Sequence, residues 1–174
     1  MKTTTSATST SPLQVSRYLT LLLVAVTLAF APQPALADEQ VPFRAAFTTE
    51  FESVVEFPIV HVMVIGHGTA THLGKATAVT TNQVVHLITG AATATYTLTA
   101  ADGDTIVLEM EFEVTFLPDG VEFEGIYTVT GGTGRFAGAT GGGTLSGSAT
   151  FTGPSNGVGS FTVVGTISSP GSLK

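Results

Sequence analysis

The sequence predicts an all-β fold, namely an eight-stranded antiparallel up-and-down β-barrel that is preceded by an N-terminal signal peptide. Apolar and polar residues alternate with a period of two along most of the chain after residue 37, which is typical of strands with one buried face. Short turn sequences separate these segments, as in an antiparallel meander. No segment after residue 37 has the apolar spacing of an amphipathic helix.

The first 37 residues have the layout of a signal peptide. A Ser/Thr-rich leader precedes an apolar run at residues 19–30, which is shorter than the roughly 20 residues that a spanning helix needs. The Ala-Leu-Ala at residues 35–37 fits a cleavage site. We expect cleavage before Asp38, a secreted or periplasmic mature protein and no stable membrane anchor; an uncleaved anchor is the alternative.

Residues 38–174 have the length of one domain. They carry thirteen acidic and four basic residues, a formal net charge of −9 with histidine neutral. Phosphate binding needs concentrated Lys and Arg, so this balance argues against nucleic acid or anionic lipid as a partner. The chain has no cysteine, which excludes disulfides and a thiol nucleophile.

The predicted strands follow one another with little intervening sequence. They cover residues 43–52, 58–66, 69–81, 95–99, 106–116, 121–129, 144–151 and 161–168, with turns expected around Gly66–Gly68, at Asp102-Gly103 and at Pro118-Asp119-Gly120. Asp-Gly is a favoured hairpin turn, and Pro-Asp-Gly also turns the chain. Eight such strands can close into a barrel whose lumen holds side chains or one small ligand.

Two segments are apolar on both faces, residues 59–65 and 84–88. A strand with this composition needs cover on its outer face as well, from another part of the chain or from another subunit. The sequence therefore predicts a homo-oligomer.

Residues 131–143, GGTGRFAGATGGG, place seven glycines around Arg135 and Phe136. A nucleotide-binding loop is not predicted, because no helix follows and no Gly-Lys-Ser/Thr is present. Glycine permits positive φ and close chain approach, so we expect a corner at one end of the barrel that Phe136 plugs. Arg135 either binds a carboxylate at the barrel mouth or is tethered to surface acids.

This glycine corner resembles a known superfamily. Gly131-Gly132-x-Gly134-x-Phe136-x-Gly138-x-x-Gly141 is similar to a corner of the allene oxide cyclase barrel and, in shorter form, to the GGTGxF of dirigent proteins. Residues 68–75, GTATHLGK, are similar to a segment of exported bacterial members. The resemblance implies an eight-stranded barrel, often trimeric, that acts on or steers small hydrophobic molecules.

No catalytic residue is carried over from that resemblance. The cysteine associated with the cyclase site has no counterpart here, and Ala137 and Thr140 stand where dirigent proteins continue with arginines. No serine lies in a GxSxG elbow. Whether the protein is an enzyme is therefore left open by the sequence.

The candidate ligand-binding residues are Tyr96, Met110, Phe123, Tyr127 and Arg135. The first four belong to the inward-facing set, which is almost wholly apolar, and the two tyrosines supply its evident polar groups. Ordinary core packing is the alternative for both tyrosines, whereas a ligand would use them for orientation.

No cofactor or metal is expected. His61, His67 and His72 are spaced by six and five residues, without the tight pair that zinc sites use. A hairpin around Gly66–Gly68 would be needed to bring His61 and His72 together. Five glutamates are expected to form a solvated outer wall, with calcium binding as the alternative: Glu109, Glu111, Glu113, Glu122 and Glu124.

Three functional hypotheses follow. The first is an exported barrel that binds a small apolar molecule in its lumen, with an isomerase-like or steering role by resemblance. The alternative is a non-catalytic structural or interaction barrel that oligomerises and whose lumen is filled by side chains. A metal-dependent enzyme is the third hypothesis and requires the histidines to converge with a carboxylate.

Overall fold

The computed structural model describes residues 39–168, which form a closed eight-stranded antiparallel barrel. Each strand pairs with its neighbour in the chain, and the last strand pairs with the first. The strands are β1 (Gln40–Glu56), β2 (Ile59–Ala70), β3 (Gly74–His86), β4 (Ala91–Ala100), β5 (Thr105–Leu117), β6 (Gly120–Gly132), β7 (Gly141–Phe151) and β8 (Asn156–Ser168). The predicted fold class is confirmed, and the predicted signal peptide lies outside the described residues.

Alternation between lumen and solvent builds the barrel wall. Along β4, Ala94, Tyr96 and Leu98 are buried, whereas the threonines between them face outward. Because successive side chains of a strand point to opposite faces, one period-two pattern supplies both the core and the soluble surface. The turns at Asp102-Gly103 and Pro118-Asp119 form where they were expected, and Gly103 has a φ of 93°.

The prediction of a turn around Gly66–Gly68 is wrong. β2 runs without interruption to Ala70, and the chain turns at residues 71–73 instead. Gly68 lies against the ring of Phe47 on β1, and a Cβ there would overlap the β1 backbone. These glycines therefore serve close approach between strands rather than a change of direction.

Glycines also face aromatic rings across other strand pairs. Phe123 on β6 pairs with Gly147 on β7, and Gly147 in turn pairs with Phe161 on β8. Tyr127 pairs with Gly143 in the same way. A ring can lie flat over a neighbour that has no side chain, so alternation of large and small residues fills a narrow barrel without overpacking.

One end of the barrel is plugged by the glycine corner. The corner contains a short 3₁₀ helix, η1 (Gly134–Phe136), and it places the Phe136 side chain inside the barrel with only 1% exposed. Within residues 39–168, no helix is long and apolar enough to span a membrane.

Candidate functional site: an apolar cavity in the barrel lumen

The two halves of the lumen differ. Near η1 the lumen is filled by side chains with no exposed surface, namely Phe43, Leu98, Ile106, Leu108, Val163 and Ile167. The other half encloses a cavity of about 280 Å³. This volume is near the lower end of the roughly 300–1,000 Å³ typical of small-molecule pockets.

Aromatic rings form the floor of the cavity. Phe161 stacks on Phe47 with ring centroids 5.2 Å apart, and Tyr96 packs against Phe161 at 5.3 Å. Tyr96 and Phe161 line the cavity, while Phe47 lies beneath them with 2% exposed. The three rings separate the cavity from the filled half of the barrel.

The walls and mouth are also apolar. Met110 lines one wall beside Phe112 and Phe123, whose ring centroids lie 5.5 Å apart. At the mouth, Phe51 meets Phe151 edge to face at 5.9 Å. Phe151 is about half exposed, so the cavity opens at the end of the barrel opposite η1.

Few polar groups line the cavity, and none of the lining residues within the described range 39–168 is charged. The polar residues are Thr49, Ser53, Gln83, Tyr96 and Ser148. The Tyr96 hydroxyl donates a hydrogen bond to Oε1 of Gln83 at 3.0 Å. Burial raises the pKa of Tyr96 above its ordinary value of 10.0, so its hydroxyl is protonated and a donor at neutral pH.

Three of the five predicted ligand-binding residues line this cavity: Tyr96, Met110 and Phe123. Tyr127 does not. It is buried in the filled half, 6.2 Å from Phe43 between ring centroids. Its hydroxyl has no hydrogen-bond partner within the described part of the chain, and burial raises its pKa to about 12.

Arg135 lies at the plugged end, away from the cavity lining. Its Nη1 is 2.7 Å from a carboxylate oxygen of Asp102, and its Nε is 3.6 Å from Asp104. The guanidinium also lies 5.1 Å from the ring centroid of Phe136. The contacts of Arg135 are thus those of a tether between the glycine corner and the β4–β5 turn.

The histidines do not converge. His61 is near the start of β2, and His72 lies beyond the other end of that strand, because the hairpin that would have joined them does not form. His61 faces Glu56 at 3.8 Å, and His72 contacts the carbonyl of Pro42 at 3.3 Å. No cluster of three or more metal-binding side chains occurs in residues 39–168.

The five predicted outer-wall glutamates are all exposed. Glu113 on β5 pairs directly with Glu124 on β6, while Glu109 faces Thr128 and Glu111 faces Ile126. Like charges that face one another cost stability, but water screens them on an open surface. The wall therefore has the solvated character expected from the sequence.

Sequence reasoning missed Gln83. Along β3 the even-numbered residues Ala76, Ala78 and Thr80 are buried, but after a register shift between Val79 and Val84 the odd-numbered Gln83 and Val85 face the lumen. A one-residue bulge reverses the phase of alternation. The sequence signal that could have revealed Gln83 is the change from even-numbered to odd-numbered inward positions along β3. Because residues 84–88 are apolar on both faces, this change is difficult to recognise in the sequence.

The arrangement can exclude water from an apolar molecule and offer it a few hydrogen bonds. Such a lining favours neutral, mostly hydrocarbon ligands, because a charged group would lose its hydration without gaining a counter-ion. The lining contributed by residues 39–168 includes no histidine, aspartate or glutamate, the side chains that most often serve as general acids and bases.

Comparison with known proteins gives matches among solved structures alone. No protein-family model matches the sequence, and no curated protein matches it. Among solved structures, a pterocarpan synthase dirigent protein matches with a TM-score of 0.46 and 14% sequence identity, over 80% of this chain and 92% of that chain. The assignment of an eight-stranded barrel therefore rests on the strand pairing of this chain.

Proposed function

We propose that the protein is an exported barrel that binds one small, neutral, apolar molecule in its lumen. The observation that carries this proposal is the cavity of about 280 Å³, which lies in a lumen whose other half is occupied by side chains with no exposed surface. A barrel that needed only a stable core would gain by packing both halves, since unfilled volume costs stability.

The depth and chemistry of the cavity support binding. Its floor of stacked aromatic rings offers flat apolar surface, and aromatic contacts contribute beyond their buried area. Burial of apolar surface contributes about 25 cal/mol per Å², so even a compact hydrocarbon can bind there. Because the lining residues from the described part of the chain are uncharged, hydrophobic transfer is the main driving force that we propose for binding.

An isomerase-like or steering role is the finer part of the proposal. Its basis is the similarity of the glycine corner to that of allene oxide cyclase and dirigent barrels, together with the expected export of a bacterial-type member. With uncharged walls, such a role would consist of holding a reactive molecule in one conformation while excluding water.

Native mass spectrometry of the protein purified from its own secretion tests the proposal. We expect an additional mass of a small hydrophobic molecule on each chain under gentle ionisation, and loss of that mass on extraction with organic solvent. A protein that carries no such mass, and that binds no neutral apolar probe when titrated, would overturn the proposal.

A second function, an interaction barrel that assembles with further copies of the chain, is favoured by one observation. Four apolar residues on the outer surface are 38–57% exposed, and we call them the β2 outer patch: Met63, Ile65, Val79 and Val158. Strand pairing places Ile65 beside Val79, and Glu50 lies between Ile65 and Val158. Exposed apolar residues therefore cluster around one glutamate, and exposed apolar patches rimmed by polar groups mark interaction sites. The same mass spectrum gives the subunit count.

A further inference from the structure

The bulge in β3 is what brings Gln83 to the cavity. Val62 on β2 pairs with Gln83, whereas Val64 pairs with Thr80, so β3 carries one more residue than β2 across this interval. An extra residue re-aims the side chains that follow it, and bulges are common next to binding sites. Without the extra residue, Gln83 would point to solvent.

A hydrogen-bonded side chain holds the bulge in place. Asn82 accepts the backbone N–H of Thr95 at 2.9 Å and donates to the Thr95 hydroxyl at 3.1 Å. It also accepts from the hydroxyl of Thr80 at 2.9 Å. These bonds take the place of ladder hydrogen bonds that β3 and β4 lose at the register shift. The position of Gln83 is thus fixed by its neighbours.

Tyr96 then orients the Gln83 amide. The single hydroxyl proton of Tyr96 is donated to Oε1 of Gln83, which leaves the amide nitrogen with two N–H donors. The hydrogen bonds found within residues 39–168 give that nitrogen no protein acceptor. Because Gln83 lines the cavity, a ligand oxygen can accept from it there.

We propose that Gln83, oriented by Tyr96, is the recognition group of the cavity and that it donates a hydrogen bond to an uncharged oxygen of the ligand. This inference rests on the proposed function and specifies its ligand class: compact, mostly hydrocarbon molecules that carry a ketone, aldehyde, ester or ether oxygen. A carboxylate is disfavoured because the lining that residues 39–168 contribute has no cation to replace its hydration.

Two probes with the same number of non-hydrogen atoms test this inference: acetophenone, which has a C=O group, and α-methylstyrene, which has C=CH₂ in the same place. Their affinities are measured by NMR titration for the unaltered protein and for Gln83→Leu, which keeps the bulk but removes the donors. One neutral hydrogen bond is worth about 0.5–1.5 kcal/mol, so we expect Gln83→Leu to bind acetophenone about two- to thirteenfold more weakly. Its affinity for α-methylstyrene should be unchanged or higher.

The matched control is Gln40→Leu, because Gln40 is an exposed glutamine at the plugged end of β1. It should leave both affinities unchanged. If Gln83→Leu does not fold, the unaltered protein still provides a measurement: the side-chain amide protons of Gln83 should shift downfield with acetophenone and far less with α-methylstyrene.

The outcomes separate the two proposals. Equal weakening of both probes, or no weakening in Gln83→Leu, would overturn the role of Gln83 and leave the lumen as a binding site. An amide signal that responds equally to both probes would do the same. Failure of both probes to bind the unaltered protein would overturn this inference and the proposed function together.

Discussion

The two lumen tyrosines show how one residue type serves different purposes in the same barrel. The Tyr96 hydroxyl has a partner in Gln83 at 3.0 Å, whereas the Tyr127 hydroxyl is buried without a partner in the described residues. Tyr127 lies over Gly143 and Gly165, and a Cβ at Gly165 would come within 2.7 Å of its oxygen. Its ring fills the space that these glycines leave. The loss of hydration of its hydroxyl destabilises the folded state.

Replacement of Tyr127 by Phe is expected to stabilise the protein. An unsatisfied buried polar group costs about 1–3 kcal/mol, and Tyr127→Phe removes that group while keeping the ring. The free energy of unfolding in urea at pH 7 should rise by a value in this range. Tyr96→Phe is the matched control and should lower it, because that change leaves the Gln83 amide oxygen without its donor. A fall in stability for Tyr127→Phe would contradict the assignment.

The same variant should change the response to alkali. Burial raises the pKa of Tyr127 to about 12 in the folded protein, above its ordinary value of 10.0. Between these values the unfolded chain has released the proton and the folded chain has kept it, so stability falls as pH rises. The part of the folding stability that depends on a protonated Tyr127 is fully present below pH 10 and is lost as the pH rises towards 12. Tyr127→Phe should therefore show a shallower decline in that window, measured by urea unfolding.

At the scale of the strands, much could be predicted from alternation alone. The number of strands, their order, and the turns at Asp102-Gly103 and Pro118-Asp119 followed from period-two patterns and turn residues. Two features could not. Gly68 lies inside β2 because a ring from β1 covers it, and the β3 bulge depends on hydrogen bonds of Asn82 to a strand that follows it in sequence. Both are contacts between strands, which a local pattern does not encode.

For the candidate site, the alternation of apolar and polar residues identified three of the residues that line the cavity. It could not predict which end of the lumen is filled and which end is open. Tyr96 and Tyr127 occupy equivalent inward positions in the pattern, yet only Tyr96 lines the cavity. Which half is filled depends on the Phe136 plug and on barrel stagger, neither of which alternation specifies.

Pairing between aromatic rings and glycines predicts the effect of a one-carbon change in β7. A Cβ at Gly147 would overlap the ring of Phe123 and the carbonyl of Ser160. Overpacking of a filled site typically costs about 1–3 kcal/mol, so Gly147→Ala should lower the free energy of unfolding by that amount. Ser146→Ala, on the exposed face of the same strand, should change it by less than about 0.5 kcal/mol. Equal effects of the two substitutions in urea unfolding would contradict the ring-over-glycine packing.

At the scale of the whole molecule, the barrel has one closed end, one open end and an outer wall of mixed character. The β5–β6 side carries five exposed glutamates. The β2 outer patch has Met63 50% and Ile65 57% exposed, and the exposed Glu50 and Glu52 of β1 are the cross-strand neighbours of Ile65 and Met63. Association through the β2 side therefore requires these two glutamates to keep their contact with water.

Charge placed in the β2 outer patch should prevent assembly. We expect the protein to sediment as an oligomer in analytical ultracentrifugation and Ile65→Glu to sediment as a monomer, since a second carboxylate beside Glu50, its cross-strand neighbour, is costly to bury at a contact. His67→Glu, exposed on the same strand but outside the patch, is the control and should leave the assembly intact. An unaltered protein that is monomeric at all concentrations would exclude the proposed contact.

The Phe136 plug also has a kinetic consequence. Under the proposed function, a bound molecule would enter and leave through the same opening, because the aromatic floor closes the lumen on the other side. We expect the rate of release to depend on Phe51 and Phe151, whose rings meet at that opening, and we therefore expect slow release rather than rapid turnover.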